Sequence, residues 1–366
     1  MPIPYVNLAQ QHRPLRQELL NAVARVVDSG QFILGPETDL FEKEFAALCA
    51  ARHAVGVNSG TDALVLALKC FGIGAGDEVI TAPNSYLASA SCIALAGATP
   101  KFADVREDMN LDPEAVSRAI TPRTRAIIPV HLTGKPAPMK ELMAIARQHK
   151  LEIIEDAAQA VGAKLNGKPV GTFGRIGCFS LHPLKNLNAC GDGGMMVTND
   201  DQINQRMRLL RNHGQPSREE CTEFSLVSRL DSIQAAILRV KLPRLSEINV
   251  RRRALAEQYR RRLANCAALR CPTDGPGEEC VYHTFIVQAD KRDALRAHLE
   301  ARGIGTAIHY PVPTHLMQVG RRLGHREGDF PVTERLAARI LSLPIYPELT
   351  QAQVDEVADA ILAFYE

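Results

Sequence analysis

The chain of 366 residues has a formal net charge of only +2, and 46% of its residues are hydrophobic. Basic and acidic residues are mixed along its length, whereas a nucleic-acid-binding surface needs a concentrated basic stripe. The length and apolar content are sufficient for two domains with substantial cores. These properties argue against a nucleic-acid-binding surface and indicate a globular protein.

The cysteine pattern and the hydropathy pattern indicate where the protein resides. The nine cysteines form no C-x-x-C pair, and several lie in apolar runs, where cysteine behaves as a small hydrophobe. An odd number without a framework spacing is typical of a reducing compartment. The first residues lack the basic and apolar regions of a signal peptide, and no stretch approaches the ~18 uncharged apolar residues of a membrane span. We therefore expect a cytoplasmic protein that does not insert into membranes.

Hydrophobic periodicity predicts two helices at the start, over 13–29 and 37–50. Strands and helices then alternate regularly. The predicted strands are 54–57, 78–82, 100–104, 126–131 and 151–155. The predicted helices between them are 63–70, 86–96, 112–120 and 139–149. Strands that alternate with helices of this length predict an α/β fold, in which a parallel sheet is covered on both faces.

The second half of the chain predicts a smaller α/β layer. A strand over 195–198 and a helix over 200–212 are followed by an irregular polar segment and a long helix over 231–263, kinked near Pro243. The elements predicted after that helix are strands at 282–288 and 306–309 and helices at 294–302, 331–341 and 350–365. We place the domain boundary within the long helix, which gives a large domain of residues 1–240 and a small domain of residues 241–366.

A lysine in an unusual setting is the first candidate for chemistry. Lys185 follows an apolar strand in the segment Phe179–Asn186 and precedes a glycine-rich stretch, Gly191–Gly194. It is either a solvated loop lysine or a nucleophile towards carbonyls, and the second role requires burial or a cationic neighbour that lowers its pKa. A Schiff base to pyridoxal phosphate is one such arrangement. It requires a carboxylate for the pyridine nitrogen, a phosphate cradle and an aromatic ring that stacks on the cofactor.

Each of these requirements has a candidate elsewhere in the chain. Glu155 and Asp156 end a predicted strand, so one of these carboxylates is expected in the crevice beyond the strand ends, although Asp156 also suits a helix N-cap. The segment Ser59–Asp62 passes from a strand into a helix, where free N–H groups bind phosphate or form an ordinary cap. Tyr86 follows another strand end and either stacks on a flat cofactor or belongs to the core.

Competing motifs lack the context that they need. The segment Gly72–Gly76 has the glycines of a dinucleotide fingerprint, but it follows a helix and precedes a strand. No phosphate-binding G-x-x-x-x-G-K-[ST] motif and no G-x-S-x-G motif occurs. The eleven histidines show no paired metal-ligand spacing, so we predict no metal site.

Four motifs in one order resemble the DegT–StrS family of pyridoxal-phosphate-dependent nucleotide-sugar aminotransferases, which have the type I aminotransferase fold. The motifs are Ser59–Leu64, Pro83–Ala90, Glu155–Gln159 and Phe179–Asn186. The resemblance covers nearly the whole chain, since Leu8–Gln11, Gly328–Pro331 and Leu341–Pro344 are also similar. It implies a mainly parallel sheet flanked by helices and a smaller C-terminal α/β domain.

The resemblance also implies a role for each matching residue, with pyridoxal 5'-phosphate as the cofactor. Lys185 is the lysine that binds the cofactor covalently, and Asp156 pairs with its pyridine nitrogen. Gln159 lies beside the ring hydroxyl, and Tyr86 stacks on the ring. The residues implied to hold the phosphate are Gly60, Thr61 and Ser180.

The chain departs from the family pattern in two places. The family completes its phosphate site from a partner subunit through a G-x-N-x-R segment, which here reads Ser225–Arg229. Arg229 is retained, but Val227 stands where asparagine is usual. In Leu132-Thr133-Gly134, Thr133 stands before the glycine, where the family often has tyrosine. Because the family completes each phosphate site from a partner subunit, the resemblance implies a homodimer with shared active sites.

The function implied is amino transfer from glutamate or glutamine to a keto group of a nucleotide-linked sugar. Lys185 would move the α-proton as general base while Asp156 keeps the ring in its electron-accepting form. The strings Lys185–Leu187, Gly191–Gly193 and Ser228–Asp231 are more similar to branches that act on 3-keto sugars than to those that act on 4-keto sugars. The alternatives are a 4-keto-sugar aminotransferase, a sugar dehydratase of the same family, in which histidine usually replaces the lysine, and a regulator without catalytic activity.

Overall fold

The computed structural model describes residues 2–366, and Met1 alone lies outside this range. The helices of the first part of the chain are α1 (Leu8–His12), α2 (Arg16–Ser29), α3 (Pro36–Leu48), α4 (Gly60–Cys70), α5 (Ala88–Leu95), α6 (Pro113–Ala119) and α7 (Met139–His149). Those of the remaining part are α8 (Asp201–Leu210), α9 (Ser232–Lys241), α10 (Leu245–Leu263), α11 (Arg292–Ala301), α12 (Gln318–Arg322), α13 (Pro331–Arg339) and α14 (Gln351–Tyr365).

The strands alternate with these helices along the chain. The strands up to the central region are β1 (His53–Val57), β2 (Glu78–Thr81), β3 (Thr99–Phe102), β4 (Thr124–Ile127), β5 (Glu152–Asp156), β6 (Lys164–Leu165) and β7 (Lys168–Pro169). Those that follow are β8 (Ile176–Ser180), β9 (Gly194–Thr198), β10 (Leu269–Arg270), β11 (Glu278–Glu279), β12 (Phe285–Ala289) and β13 (Ile340–Leu343).

A seven-stranded sheet forms the centre of the large unit, in the order β1-β9-β8-β5-β4-β2-β3. Only β9 runs antiparallel to its neighbours, β1 and β8, and the other pairings are parallel. The strands are almost completely buried because helices cover both faces, as expected for a parallel sheet. The predicted α/β fold is confirmed, and the carboxyl ends of β2, β4, β5 and β8 meet along one edge.

The long predicted helix is interrupted where proline occurs. A 3-10 turn, Leu242–Arg244, separates α9 from α10, because Pro243 has no N–H group to continue the helical hydrogen bonds. Helix α9 packs on α2 and α3, whereas α10 packs on α14 near the C-terminus. We propose that the division between large and small domains lies here, at residues 240 and 241.

Two predictions for the small unit are wrong. The strand expected over 306–309 is absent, since only Ala307 forms an isolated bridge, to Ser342. The helix expected over 331–341 ends at Arg339, and the buried run that follows is β13, which pairs with β12. A short, fully buried apolar run has no periodicity that distinguishes a strand from the end of a helix.

The structure contains two small three-stranded sheets, of which the sequence predicted only the strand that corresponds to β12. One has the order β10-β12-β13, and the other has the order β11-β6-β7. Four of their strands, β6, β7, β10 and β11, are only two residues long. Such short strands depend on partners distant in sequence, so hydrophobic periodicity does not indicate them.

Candidate active site

A cavity of about 410 Å³ lies at the edge where the parallel strands end. Its walls come from the segments after β1, β2, β4, β5 and β8 and from three C-terminal residues, His283, His309 and Tyr310. Ligands of open α/β sheets bind at this position. Of the eight predicted site residues, seven line the cavity: Gly60, Thr61, Tyr86, Asp156, Gln159, Ser180 and Lys185.

The first turn of α4 forms an anion-binding corner of this cavity. The side chain of Ser59 caps the helix by accepting a hydrogen bond from the amide of Asp62 at 3.1 Å. The adjacent Gly60 touches the end of β8, where an added Cβ would lie 2.7 Å from the Cβ of Ser180. Glycine therefore permits the close approach of helix and strand. Gly60, Thr61 and Ser180 line the same cavity, so the free amides of the first helical turn and a hydroxyl group are available there for a phosphate group.

The two adjacent carboxylates at the end of β5 point to opposite sides of the strand, as its pleat dictates. Asp156 faces the cavity, where Ser89 Oγ donates to Oδ2 at 2.7 Å and the amide of Ala158 donates to Oδ1 at 3.1 Å. Burial raises the pKa of Asp156, and these hydrogen bonds together with the charge of Lys185 oppose that rise. No helix begins within the five residues after Asp156, so its side chain has no N-cap role.

Glu155 faces the other side and is completely buried. Its Oε2 lies 3.0 Å from His131 Nε2 and accepts from the amide of Gly171 at 2.7 Å, and its Oε1 accepts from the amide of Gly174 at 2.7 Å. The amide of Ala137 donates to His131 Nδ1 at 2.9 Å, so Nε2 of that ring carries the proton and donates to Glu155. Glu155 therefore stabilises the loops behind the cavity and does not contribute to its wall.

The amine of Lys185 is in the state that nucleophilic chemistry needs. Burial lowers the pKa of Lys185 to about 8, although the nearby charge of Asp156 acts in the opposite direction. Within residues 2–366, Nζ makes no hydrogen bond, while the backbone is fixed by its amide, which donates to His182 O at 2.8 Å. The interpretation as a solvated surface lysine therefore does not fit. Near pH 8, a large fraction of the Lys185 amine groups is neutral. Lys185 lines the cavity, where this neutral amine is available to react.

The aromatic wall combines the loop after β2 with a C-terminal segment. The side chain of Tyr86 is 60% exposed, and its ring centroid lies 5.7 Å from that of Tyr310. Gln159 lies beneath them, where Nε2 donates to the Tyr310 hydroxyl at 3.3 Å and Oε1 accepts from the Thr133 amide at 2.7 Å. Tyr86 is thus an accessible ring and does not belong to the core.

Sequence reasoning missed three residues of the site, His283, His309 and Tyr310. Burial lowers the pKa of His309 to about 4, and burial and the charge of Lys185 hold the pKa of His283 well below its usual range. Both imidazoles are therefore neutral at physiological pH. The only available signal was that His309 ends a predicted strand and Tyr310 follows it, and that strand was wrongly assigned.

Arg229 is the one predicted site residue that the fold of a single chain does not bring to the cavity. Its Nη1 donates to Asn212 Oδ1 at 3.1 Å, and its buried Nε has no partner within residues 2–366. The segment before it exposes apolar side chains, including Phe224, which is 98% exposed, and Val227. This surface is distinct from the cavity of the same chain.

These features fit pyridoxal 5'-phosphate. The cavity combines an anion-binding helix terminus, a buried carboxylate, an accessible aromatic ring and a lysine of lowered pKa, and its volume lies in the range of cofactor pockets. Together with the mainly parallel sheet, they define an aminotransferase of fold type I.

The chain belongs to the DegT/DnrJ/EryC1/StrS aminotransferase family, whose sequence profile matches residues 14–362. It is 46% identical over 365 residues to the dTDP-3-amino-3,4,6-trideoxy-alpha-D-glucose transaminase of Streptomyces venezuelae, covering 100% of this chain and 96% of the relative. It is 44% identical over 361 residues to the UDP-N-acetyl-3-dehydro-alpha-D-glucosamine 3-aminotransferase of Acidithiobacillus ferrooxidans, covering 98% and 97%.

Solved structures agree with this assignment. The crystal structure of S. venezuelae DesV in complex with a ketimine intermediate has a TM-score of 0.98 and 46% identity, covering 100% of this chain and 99% of that one. The structure of NtdA from Bacillus subtilis with bound cofactor PMP has a TM-score of 0.92 and 28% identity, covering 99% and 85%. The predicted family, fold and pyridoxal phosphate cofactor are thereby confirmed.

Proposed function

We propose that this aminotransferase transfers an amino group from glutamate or glutamine to the C3 keto group of a nucleotide-linked sugar. The observation that carries the proposal is the meeting of the Lys185 amine and the Asp156 carboxylate in one cavity with the phosphate corner of α4. The names of both relatives place the amino group at C3, which supports a 3-keto over a 4-keto substrate.

Each side chain of the cavity has a task in this reaction. Pyridoxal 5'-phosphate, when bound, supplies an electron sink for the carbanion. Asp156 holds a proton at the pyridine nitrogen, and Lys185, with its lowered pKa, takes and returns the α-proton as general base. Gly60 and Thr61 provide amides for the phosphate together with the Ser180 hydroxyl. Tyr86 would stack on the cofactor ring, and Gln159 would offer it a hydrogen bond.

The C-terminal wall of the cavity suits a sugar. His283 and His309 are neutral because burial lowers the pKa of each ring, and Tyr310 adds a hydroxyl. Neutral groups that both donate and accept match sugar hydroxyls, which carry no charge. We therefore assign this wall to the hexose and the opposite wall, along α4 and β5, to the cofactor.

A second subunit is part of the proposal. Within residues 2–366, Lys185 is the one lysine that lines the cavity of a single chain, and no arginine lines it. A phosphate ester, a nucleotide diphosphate and a donor carboxylate together need more positive charge than one amine provides. Arg229 of the partner subunit is a suitable source, because its guanidinium is incompletely bonded and lies next to exposed apolar residues that a symmetric dimer would cover.

We also propose that the protein functions in the cytoplasm, where its nine cysteines, all of them free thiols in the structure, would stay reduced. Within the described residues 2–366, no helix has the length and apolar character needed to cross a bilayer.

The function is tested with purified holoenzyme and a panel of 3-keto and 4-keto nucleotide sugars, with glutamate as donor. We expect an amino-sugar product from the 3-keto substrates and a visible absorption band that borohydride bleaches. Lys185→Ala should abolish turnover, and Lys140→Ala, an exposed position on α7, serves as the matched control. Release of a deoxygenated sugar without an amino group would favour the dehydratase, and a protein without the band would favour the regulator.

A further inference from the structure

The motif that contributes Tyr86 also contributes two buried serines that the proposed mechanism does not use. Ser85 and Ser89 are 6% and 1% exposed, and they lie at the end of the β2 loop and in the first turn of α5. Their hydroxyl groups are 2.9 Å apart, and Ser89 Oγ lies 2.7 Å from Asp156 Oδ2. A continuous chain of hydrogen bonds therefore connects the cavity wall, where Ser85 lies, with the carboxylate.

The direction of these hydrogen bonds follows from the chemistry of the groups. An ionised carboxylate only accepts, so the single proton of the Ser89 hydroxyl goes to Asp156. Ser89 can then only accept from Ser85, which makes Ser85 the donor at the outer end. Donors that polarise one another in a low-dielectric site strengthen the bond to the charged end.

We propose that Ser89, supported by Ser85, is a positioning residue that keeps Asp156 ionised and oriented towards the pyridine nitrogen. The backbone amide of Ala158 is the only other group within residues 2–366 that donates a hydrogen bond to this carboxylate. Each of the two donors bonds a different oxygen, so together they restrain the orientation of the carboxylate. Ser89 acts through Asp156 and does not itself line the cavity.

The surroundings of Asp156 explain why it needs such support. Burial favours its protonated form, and the Ser89 hydrogen bond is the strongest influence that opposes burial and lowers the pKa. The titratable groups that face Asp156 from the surrounding elements are Lys185, His131, Tyr310, Cys92 and Cys178. Of these groups, Lys185 and His131 favour the ionised form, whereas burial raises the pKa of both thiols and of Tyr310, so these three groups remain neutral.

The test compares Ser89→Ala with Ser91→Ala in the holoenzyme. Ser91 lies on the same helix, but its side chain makes no hydrogen bond to Asp156. A hydrogen bond to a charged group is worth ~1.5–3 kcal/mol, so losing it should change equilibria by roughly ten-fold or more. We expect the acid limb of the kcat profile, and the titration of the visible band, to move up by about one pH unit in Ser89→Ala. We also expect kcat to fall about ten-fold with KM unchanged, and Ser91→Ala to match the wild type.

If Ser89 has only a structural role, the Ser89→Ala variant will have a lower melting temperature but unchanged pH profiles. That result would overturn the proposal. If Ser89→Ala does not fold, Ser89→Cys is measured instead, because cysteine has a similar shape and is a weaker hydrogen-bond donor. Its two pH profiles should also move upward, and unchanged profiles would overturn the proposal. Ser85→Ala should move the profiles in the same direction by a smaller amount.

The inference rests on the proposed role of Asp156, so Asp156→Asn is measured in parallel. Full activity of Asp156→Asn would overturn the proposed function itself. An inactive Asp156→Asn combined with a normal Ser89→Ala would overturn only the role of the serines. The cofactor dissociation constant, measured by equilibrium dialysis, provides a readout that does not depend on turnover.

Discussion

Replacing Glu155 by glutamine changes one atom, yet it should destabilise the fold without harming the chemistry. The carboxylate accepts three hydrogen bonds: two buried ones, from His131 Nε2 and the amide of Gly171, and a partly buried one from the amide of Gly174. The single oxygen of glutamine replaces only one of the two carboxylate oxygens, so it accepts at most two of these hydrogen bonds. The NH₂ group then takes the place of the other oxygen and faces the N–H group that bonded there. Turning the imidazole to its other tautomer does not help, because Nδ1 already accepts from the amide of Ala137. Every arrangement leaves at least one buried or partly buried N–H group without an acceptor.

The magnitude follows from that count. A buried unsatisfied group costs ~1–3 kcal/mol, and the hydrogen bonds that remain lose the charge that strengthens them. We expect Glu155→Gln to lower the free energy of unfolding by about 2–4 kcal/mol. Urea unfolding of the holoenzyme measures this, with Glu152→Gln on the same strand as control. Glu152 forms a partly exposed ion pair with Arg175, so its replacement should cost less than about 1 kcal/mol.

Activity per folded molecule separates the two carboxylates at the end of β5. Glu155→Gln should retain kcat within a factor of a few, because its side chain does not reach the cavity. Asp156→Asn should lose most turnover while its unfolding midpoint changes little. The reasoning is refuted if Glu155→Gln unfolds at the urea concentration of the wild type, or if the two variants exchange these phenotypes.

Three further predictions follow from the site. The pKa of Lys185 is lowered from 10.5 to about 8, so the folded apoenzyme binds fewer protons than the unfolded chain between these values and gains stability as pH rises through that window. Lys185→Met apoenzyme should therefore be more stable than wild-type apoenzyme at pH 7, by at most about 3 kcal/mol. The difference in the free energy of unfolding, measured by urea titration, should shrink above pH 8. A difference that stays constant with pH would contradict the lowered pKa of Lys185. Gly60→Ala places a Cβ 2.7 Å from Ser180, so cofactor affinity by fluorescence titration should fall at least ten-fold, whereas Gly72→Ala, at a surface turn, should leave it unchanged. Arg229→Ala should remain a dimer by light scattering but bind cofactor more weakly; a monomer with full occupancy and normal turnover would exclude the shared site.

Local sequence patterns were sufficient for much of the fold and for one side of the site. The alternation of strands and helices located the strand ends, and Lys185, Asp156 and Tyr86 were found because each follows such an end. The pattern could not decide between Glu155 and Asp156, since the pleat that separates them is set by the register of β5 in the sheet. The resemblance supplied that choice, and the orientation of the two side chains agrees with it.

The sugar side of the cavity was beyond local reasoning. His283, His309 and Tyr310 reach the cavity only because the small unit packs against the strand ends, through contacts between residues far apart in sequence. The same limitation explains the misassigned run Ile340–Leu343, which becomes a strand because β12 is available to pair with it. Arg229 is a further case, since its proposed role depends on contacts with a second chain. Hydrophobic periodicity gives no information on such contacts.

The position of Ile3 has a consequence for attempts to divide the protein. Its amide donates to Gly303 O at 2.9 Å, the amide of Gly305 donates to its carbonyl at 2.8 Å, and its side chain is 1% exposed within the core of the small unit. The segment that contains Ile3 thus pairs with residues 303–305 and occupies a slot in the core of the C-terminal unit. A fragment that begins at residue 241 would expose this slot as an unpaired backbone edge beside apolar side chains. Residues near the N-terminus therefore complete the C-terminal unit, and we expect a version of this enzyme split at residue 241 to need residues 2–7 supplied in trans as a complementing peptide.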